Sequence, residues 1–301
     1  MSQTRFNSGL ATRRAIDTRV TPPQRRTSNR ARREELEVKL AALQKDYAEL
    51  HTAIFEAAQV HRRLCAPRLV RYGDFEIASE IFAVRHLAGD FFTIKDSNRG
   101  VILALGDICG KGLAAGMWTT HLVGLVAKRA AVSSEPESIV AGVNRDVCLM
   151  ASAVPLASLF VARLDAATGK LDYCSAGHPP ALLLRANGKL ELLSDGGLLL
   201  GVIPAAPYMR GSVVLGPGDV LLAYSDGVLE SVNEANEEFG YARIEAQLRR
   251  ARTDSADALL FSVLAAVQDF AATRPLVDDM SLVIVRRSSH SRRSKRSEDL
   301  R

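Results

Sequence analysis

The sequence predicts an α+β protein: a four-layer αββα sandwich of two antiparallel sheets flanked by helices, preceded by an N-terminal coiled-coil helix. Beyond Pro67, strand-like apolar runs come in two sets, with helix-like repeats between and after them. Such an order requires two sheets packed on each other, with helices covering the outer faces. At 301 residues and 47% hydrophobic residues, the chain can bury one sizeable core plus an appendage.

Charge is divided unevenly along the chain. Residues 1–33 hold nine Arg against one Asp, and residues 286–301 hold seven Lys or Arg against two acids, whereas 31 acids outnumber 23 bases between them. Both ends are rich in Arg, Ser and Thr and lack apolar periodicity, so we expect disordered basic tails at 1–31 and 288–301. One interpretation is that these tails bind nucleic acid, anionic lipid or an acidic partner electrostatically. We favour plain solvated extensions.

A helix is predicted over residues 32–66. Its apolar positions recur in alternating steps of four and three: Leu36, Leu40, Leu43, Tyr47, Leu50, Ile54, Ala57, His61 and Leu64. A strict repeat of this kind favours a parallel homodimeric coiled coil over a single helix laid along the next domain. We call this row of apolar positions the seam of the helix. Ala57 and His61 are its least apolar members and lie just before the next domain begins.

Residues 67–287 form the second predicted domain. Strands are expected near 74–84, 90–95, 100–108, 157–165, 170–176, 180–185, 211–215, 219–225 and 280–286. Helices are expected near 112–131, 136–151, 240–251 and 255–273. The DAATGK and ANGK segments between neighbouring strands are typical of hairpin turns.

Four short segments with aspartates carry the chemistry: AGDFF (Asp90), GDICGKG (Asp107), YSDGVLE (Asp226) and VDDMSLVIV (Asp278 and Asp279). Each carboxylate lies at or beside the end of a predicted strand, where a side chain is held rigidly yet projects into a cleft. Hard divalent cations such as Mg²⁺ and Mn²⁺ prefer such oxygen ligands. The pattern therefore suits a site for two metal ions.

At these residues the sequence resembles the metal-dependent protein phosphatases of the PPM (type 2C) class. The closer match is the bacterial branch of sporulation stage II and stress-response phosphatases. The resemblance runs from about Glu56 to Arg286 and is ordered: EAAQVHRRLCAP looks like the linker helix of that branch, and the aspartate segments follow in family order. SLFVARLDAATGKLDYCSAGHPP lies between the second and third of them, as in the branch. The resemblance implies the same αββα sandwich, with the metals between the sheets.

The resemblance also implies a ligand set for two divalent cations, Mn²⁺ or Mg²⁺. Asp107 matches the aspartate that bridges both metals, and the carbonyl of Ile108 adds a ligand to the second. Asp90 matches the acid on the second metal, while Asp226 and Asp278 match the acids that complete the first. Asp107 and Asp226 are the expected catalytic residues, because a metal-activated water needs no nucleophilic side chain.

Other residues have weaker matches. Arg85 matches an arginine of the branch that is compatible with phosphate contact, and His178 matches a motif histidine for which we favour loop packing over catalysis. Gly110 and Gly112 are expected to let the backbone turn tightly beside the metals. Asp279 should point away from the cleft if Asp278 points into it, since neighbouring strand residues alternate.

Several positions depart from the family pattern or carry little signal. Cys109 stands where animal type 2C enzymes have a histidine that assists the leaving group, so the proton donor is unassigned. Thr93 replaces a usual second acid and Ala88 replaces a glycine, which predicts weak binding of the second metal. Lys111 is expected to be solvated.

The resemblance implies a cytoplasmic bacterial protein-serine/threonine phosphatase acting on a phosphoprotein, with a phosphorylated STAS-domain antagonist of an anti-sigma factor as the expected substrate. A regulatory protein partner is a further expectation. No run of about 18 apolar residues predicts a membrane span, and no nucleic-acid motif is recognisable. Two alternatives remain open: a catalytically weak binding or regulatory module with this fold, and a coiled-coil scaffold that uses its basic tails.

Overall fold

The N-terminal helix α1, Pro23–Leu64, begins earlier than predicted. The computed structural model describes residues 23–65, 67–150 and 155–289. The expectation of a disordered tail is therefore wrong for residues 23–31, whereas residues 1–22 and 290–301 lie outside the described residues. Proline is well tolerated at the first position of a helix, and the ion pairs Arg30–Glu34 and Arg33–Glu37 support the first turns of α1, which precede the apolar seam.

The chain divides into two units, Met1–Ala53 and Ile54–Arg301. In the first unit, the seam of α1 is open to solvent, since Leu43 is 66% and Leu50 60% exposed. In the second unit, His61 on the last turns of α1 is buried, with only 6% of its surface exposed. The seam is thus buried at His61, although Leu64, one turn further on, is again 38% exposed.

The second unit contains twelve strands and five complete helices among its described residues. The strands are β1 Leu69–Tyr72, β2 Phe75–Phe82, β3 Phe91–Ser97, β4 Gly100–Ile108, β5 Ala157–Leu164, β6 Lys170–Ala176, β7 Ala181–Leu184, β8 Leu190–Leu193, β9 Gly196–Gly197, β10 Gly211–Val214, β11 Val220–Tyr224 and β12 Met280–Arg287. The helices are α2 Leu113–Val132, α3 Pro136–Leu149, α4 Asp226–Leu229, α5 Gly240–Ala251 and α6 Ala256–Ala271.

The strands form two sheets. Sheet A has the order β1-β2-β12-β11-β7-β8, and sheet B has the order β10-β6-β5-β4-β3 with β9 beside β6. Neighbouring strands are antiparallel except for the short parallel pair of β6 and β9. The hairpins β3–β4 and β5–β6 place the start of β3 and the end of β4 at the same end of sheet B as the start of β5 and the end of β6.

Three apolar layers hold the unit together. Ala78 of β2 faces α5 and α6, while its neighbour Ile77 faces the other sheet. In β5, Phe160 faces sheet A, while Val161 packs toward α2 and α3. This alternation is what a strand covered on both faces requires. The predicted αββα sandwich is confirmed.

None of the helices in the described part of the chain is long and apolar enough to cross a membrane.

Candidate metal centre

The four aspartates expected to bind metal lie at strand ends of both sheets. In sheet B, Asp90 directly precedes β3, and Asp107 is the second-last residue of β4. In sheet A, Asp226 opens α4 just after β11, and Asp278 lies just before β12. Because β3 pairs with β4 and β11 pairs with β12, each sheet contributes two neighbouring carboxylates.

Two close backbone approaches bring these segments together. A Cβ atom added to Gly89 would lie 3.1 Å from the Ile108 carbonyl oxygen and 3.5 Å from Oδ1 of Asp107. A Cβ atom added to Gly227 would lie only 2.1 Å from the carbonyl oxygen of Asp279. A larger residue at position 89 would therefore push the segment of Asp90 away from that of Asp107, and one at position 227 would push the segment of Asp226 away from that of Asp278.

Asp279 joins the two pairs. Its buried carboxylate accepts the backbone N–H of Val84 through Oδ1 at 2.7 Å and that of Gly89 through Oδ2 at 2.7 Å. Residues 84–89 form the approach to Asp90, so Asp279 fixes a loop of the metal centre. Asp278, its neighbour, has 40% of its side chain exposed. The two carboxylates therefore face different surroundings.

The carboxylates resist ionisation in this cleft. Burial, and after it the charge of Asp107, raises the pKa of Asp90 well above its ordinary value. Burial is also the largest cause that raises the pKa of Asp107 to about 6, with the charges of Asp226, Asp278 and Asp279 adding to it. Burial and then the charge of Asp278 raise the pKa of Asp226. Clustered acids with raised pKa values are typical of functional sites.

These residues fit divalent cations by charge and by donor type. Oδ2 of Asp90 is buried and has no hydrogen-bond partner among the described residues. The Ile108 carbonyl and Asp107 Oδ1 face the same point beside Gly89. A cation would satisfy the orphaned oxygen and relieve the repulsion that raises these pKa values.

Lys111 modifies this centre. Its Nζ atom lies 2.8 Å from Oδ2 of Asp278 and donates a hydrogen bond of 2.5 Å to the Val277 carbonyl. Lys111 is exposed, as expected, but it also forms this ion pair, because the loop after β4 directs it toward the acidic cluster. Within the described residues, no three His, Cys, Asp or Glu side chains are already arranged around one point. A cation at Asp278 would compete with this lysine for the carboxylate.

The loop after Asp107 turns sharply, and an arginine lies against it. Gly110 has φ of 136° and Gly112 has φ of 79°, both in the region that favours glycine. A Cβ atom on Gly112 would lie 3.3 Å from Cδ of Arg85 and 3.5 Å from one of its guanidinium nitrogens. The exposed Arg85 side chain is thus placed beside the loop of Asp107.

His178 and Cys109 are poor candidates for acid or nucleophile. Nδ1 of the buried His178 lies 2.7 Å from Ser158 Oγ, and burial lowers its pKa to about 3, so the ring is neutral near pH 7. Burial and the charges of Asp107 and Asp226 raise the pKa of the exposed Cys109 thiol. The thiolate, the reactive form, is therefore disfavoured.

The first prediction concerns pH and the metal-free protein. The pKa of Asp107 is about 6 in the folded state against an ordinary 3.8, so the folded state binds this proton more tightly between those values. Stability from Asp107 should fall as pH rises from 3.8 to about 6, by on the order of 1–2 kcal/mol for this partly exposed group. Thermal unfolding in EDTA from pH 4 to 7 should show wild type losing stability relative to Asp107→Asn. Parallel curves would contradict the shift.

A second prediction concerns Lys111. Lys111→Gln removes the cation that competes for Asp278, and both side chains are about one-third exposed (32% and 40%), so the pair is partly screened. We expect Mn²⁺ binding to tighten by roughly three- to tenfold, measured by calorimetry. The control is Lys128→Gln, whose ammonium pairs with Asp146 between α2 and α3. Unchanged or weaker Mn²⁺ binding would show that Lys111 does not compete.

Comparisons with known proteins agree with this geometry. The family described as Stage II sporulation protein E (SpoIIE) matches residues 97–288, more than half of the chain. The phosphoserine phosphatase RsbU of Bacillus subtilis is 23% identical over 243 residues, which cover 79% of this chain and 71% of RsbU. Protein IcfG of Synechocystis is 25% identical over 190 residues, but these cover 53% of this chain and only 30% of IcfG.

Solved structures share the architecture. The SiaA-PP2C domain of Pseudomonas aeruginosa superimposes with a TM-score of 0.70 at 17% identity, covering 79% of this chain and 97% of that domain. At this identity the likeness concerns the fold. Together with the family match over residues 97–288, it confirms the resemblance found in the sequence. The chain therefore belongs to the SpoIIE family and has the fold of the PP2C domains.

Proposed function

We propose that the chain is a metal-dependent protein-serine/threonine phosphatase that hydrolyses a phosphoprotein. The observation that carries the proposal is that each sheet contributes two acidic strand ends, and that Asp279, beside Asp278 of one sheet, accepts the N–H of Gly89, beside Asp90 of the other. Membership of the SpoIIE family and the similarity to RsbU, named a phosphoserine phosphatase, support it.

In this proposal the chain holds two divalent cations, Mn²⁺ or Mg²⁺. Asp107 would be shared by both, Asp90 and the Ile108 carbonyl would help to hold the second, and Asp226 and Asp278 would help to hold the first. When bound, such cations lower the pKa of water and offset charge on the phosphoryl oxygens. Asp107 and Asp226 are the residues on which turnover depends most, since they fix the positions of both charges.

The surrounding residues contact the substrate phosphate or hold the loops that carry the aspartates. Arg85, beside Gly112, is placed to contact a phosphate oxygen, for which a guanidinium is well suited. Gly110 and Gly112 shape the loop that holds Asp107, and Asp279 fixes the loop that leads to Asp90. A neutral, hydrogen-bonded His178 packs the neighbouring loop and does not donate a proton.

The resemblance to the bacterial phosphatase branch implies the substrate class and partners, and the similarity to RsbU, named a phosphoserine phosphatase, supports a phosphoserine substrate. A phosphorylated STAS-domain antagonist of an anti-sigma factor is our proposed substrate, with a regulatory protein as a further partner and a cytoplasmic location. A bulky folded substrate agrees with carboxylates at strand ends, because Asp278 is reachable from solvent.

A catalytically weak binding module is the second candidate. Lys111 on Asp278 favours it, because a resident ammonium reduces metal affinity. Thr93, a buried neutral residue on β3, favours it as well, since a carboxylate there would supply another ligand. Such a module would recognise the phosphorylated or unphosphorylated partner without turning it over.

One assay separates the two candidates. Phosphoserine-labelled STAS-domain proteins are incubated with the full chain in Mn²⁺, in Mg²⁺ and in EDTA, and phosphate release is measured beside partner binding. The phosphatase releases phosphate only with metal, and a matched unphosphorylated protein gives none. Binding to the labelled protein without release in either metal would leave the module as the correct interpretation.

A third prediction concerns the seam of α1. We propose that its exposed apolar residues form a parallel homodimer, because an unpartnered stripe with Leu43 66% and Leu50 60% exposed would otherwise face water. Replacing Leu43 and Leu50 by Lys should bury charge in the interface and yield monomers. Sedimentation measures the mass.

Val38 offers a matched control for that experiment. It is 70% exposed on α1 but lies off the seam, so Val38→Lys should leave the dimer intact. A wild-type monomer, or a dimer that survives both seam substitutions, would contradict the interface.

A further inference from the structure

A cavity of about 360 Å³ lies where the end of α1 meets β2, within the unit Ile54–Arg301. Ala58 and His61 of α1 form one wall, and Ile81, Phe82 and Phe92 of the sheets form another. Its volume lies in the range of small-molecule sites. None of the proposed metal ligands lines it. The cavity is therefore separate from the metal centre.

His61 supplies a buried polar group without a partner. The residue is only 6% exposed, it lines the cavity, and its Nε2 atom has no hydrogen-bond partner among the described residues. An unpaired buried polar group is unfavourable, and a ligand that hydrogen-bonds to it removes that cost. Burial lowers the pKa of His61, so near neutral pH the ring is an uncharged hydrogen-bonding group.

Of the two arginines that line the cavity, one is already paired with other residues and the other is not. Arg68 pairs with Asp257 at 2.9 Å and lies over the ring of Phe261 at 4.3 Å from its centre. The exposed side chain of Arg62 makes no ion pair or hydrogen bond within the described part of the chain. Arg62 is thus the cation available to a ligand entering from solvent.

We propose that this cavity binds a small organic anion with a flat apolar body: the body packs against Phe82 and Phe92, a polar edge meets His61 Nε2, and the acid pairs with Arg62. Aromatic walls with a few placed polar groups are typical of such sites. A soft metal ion fits less well. Cys65 lies one turn from His61, but burial raises the pKa of its thiol, and the described residues hold no three-ligand cluster.

Occupancy of the cavity would be felt at the metal centre. Ala88 lines the cavity, and the next residue, Gly89, donates its N–H to Asp279 and adjoins the Ile108 carbonyl. A ligand that fixes Ala88 therefore changes metal affinity through the loop of residues 84–89. This consequence rests on the proposed function, whereas binding itself does not.

The test uses 2-naphthoate, a flat aromatic carboxylate, titrated into the full chain in EDTA without phosphatase substrate. Fluorescence reports affinity, and the Cε1 resonance of His61, assigned with His61→Phe, reports location. Arg62→Gln should weaken binding by about tenfold, as expected for loss of a charge-assisted pair. Arg63→Gln, whose side chain does not line the cavity, should leave the affinity within about twofold.

Ala58→Trp fills the cavity and should abolish saturable binding, with circular dichroism to verify folding. Should it not fold, the comparison of the two arginines and the His61 resonance decide alone. Absence of saturable binding by wild type, equal loss in both arginine variants, or an unmoved His61 resonance would overturn the proposal. Stoichiometric Zn²⁺ binding that depends on Cys65 and excludes 2-naphthoate would overturn it too. Because no turnover is measured, a failed phosphatase assay would not affect this result.

Discussion

Asp107→Asn is expected to abolish metal-dependent turnover, by about a thousandfold or more, while leaving the fold intact. Asp107 interacts electrostatically with the other acids of the site: the charges of Asp226, Asp278 and Asp279, in addition to burial, raise its pKa. Removing its charge weakens the binding of both cations, yet an amide of the same shape fits the cleft. Phosphate release and circular dichroism are measured on the same preparation.

Stability distinguishes loss of metal from loss of fold in that variant. Without divalent cations at pH 7, Asp107→Asn should be at least as stable as wild type, because it removes a carboxylate whose pKa is raised to about 6. Near wild-type turnover in the folded variant would rule out Asp107 as the bridging residue. A large loss of stability would instead assign it a structural role.

Asp278→Asn and Asp279→Asn should both lower activity, but for different reasons. Asp278 is 40% exposed, so its substitution should weaken Mn²⁺ binding with little change in thermal stability. Asp279 accepts two backbone N–H groups at 2.7 Å each, and an amide would place a donor against one of them. The cost is about 2–4 kcal/mol, or roughly 5–10 °C in unfolding temperature.

Asp226→Asn should behave like Asp278→Asn: it should weaken metal binding without lowering stability. Its activity should fall as severely as that of Asp278→Asn, again through metal affinity. From the sequence, Asp279 was expected only to point away from the cleft, but its two hydrogen bonds to the loop make it important for stability. A destabilised Asp278 variant beside a stable Asp279 variant would reverse the two assignments.

The strands that bury both faces were predicted well from the sequence. β11 is a continuous apolar run, and β5 is apolar except at Ser158 and Arg163, which suits strands packed between a sheet and helices. Short or half-exposed elements were missed: β1, β8, β9 and α4. LVRY of β1 lies at the edge of sheet A, and Gly196–Gly197 of β9 forms only through pairing with Ser175 and Ala176. Tertiary contacts, absent from local sequence patterns, create such elements.

The candidate site was predicted less completely than the fold. The aspartates stood out because strand ends and turn glycines mark them, and the structure places the four segments close together. Two partnerships had no local signal. Lys111 meets Asp278, and Asp279 meets Val84 and Gly89, in each case across more than 160 residues of sequence.

His61 shows how one residue can be misread from periodicity. By spacing it continues the heptad seam of α1, yet it is buried in the second unit beside a cavity. A repeat shows which side of a helix is apolar but not what covers that side. The change from an open seam to a buried face therefore needed the three-dimensional structure.

The most direct test of the metal centre is an anomalous scattering map from crystals grown with Mn²⁺, collected at the manganese edge. We expect two peaks between the ends of the two sheets, both in contact with Asp107. One should also contact Asp90 and the Ile108 carbonyl, and the other Asp226 and Asp278, with Lys111 moved away from Asp278. No peak among these carboxylates, or peaks bound only elsewhere, would contradict the central claim, and a single peak would contradict the pair of cations.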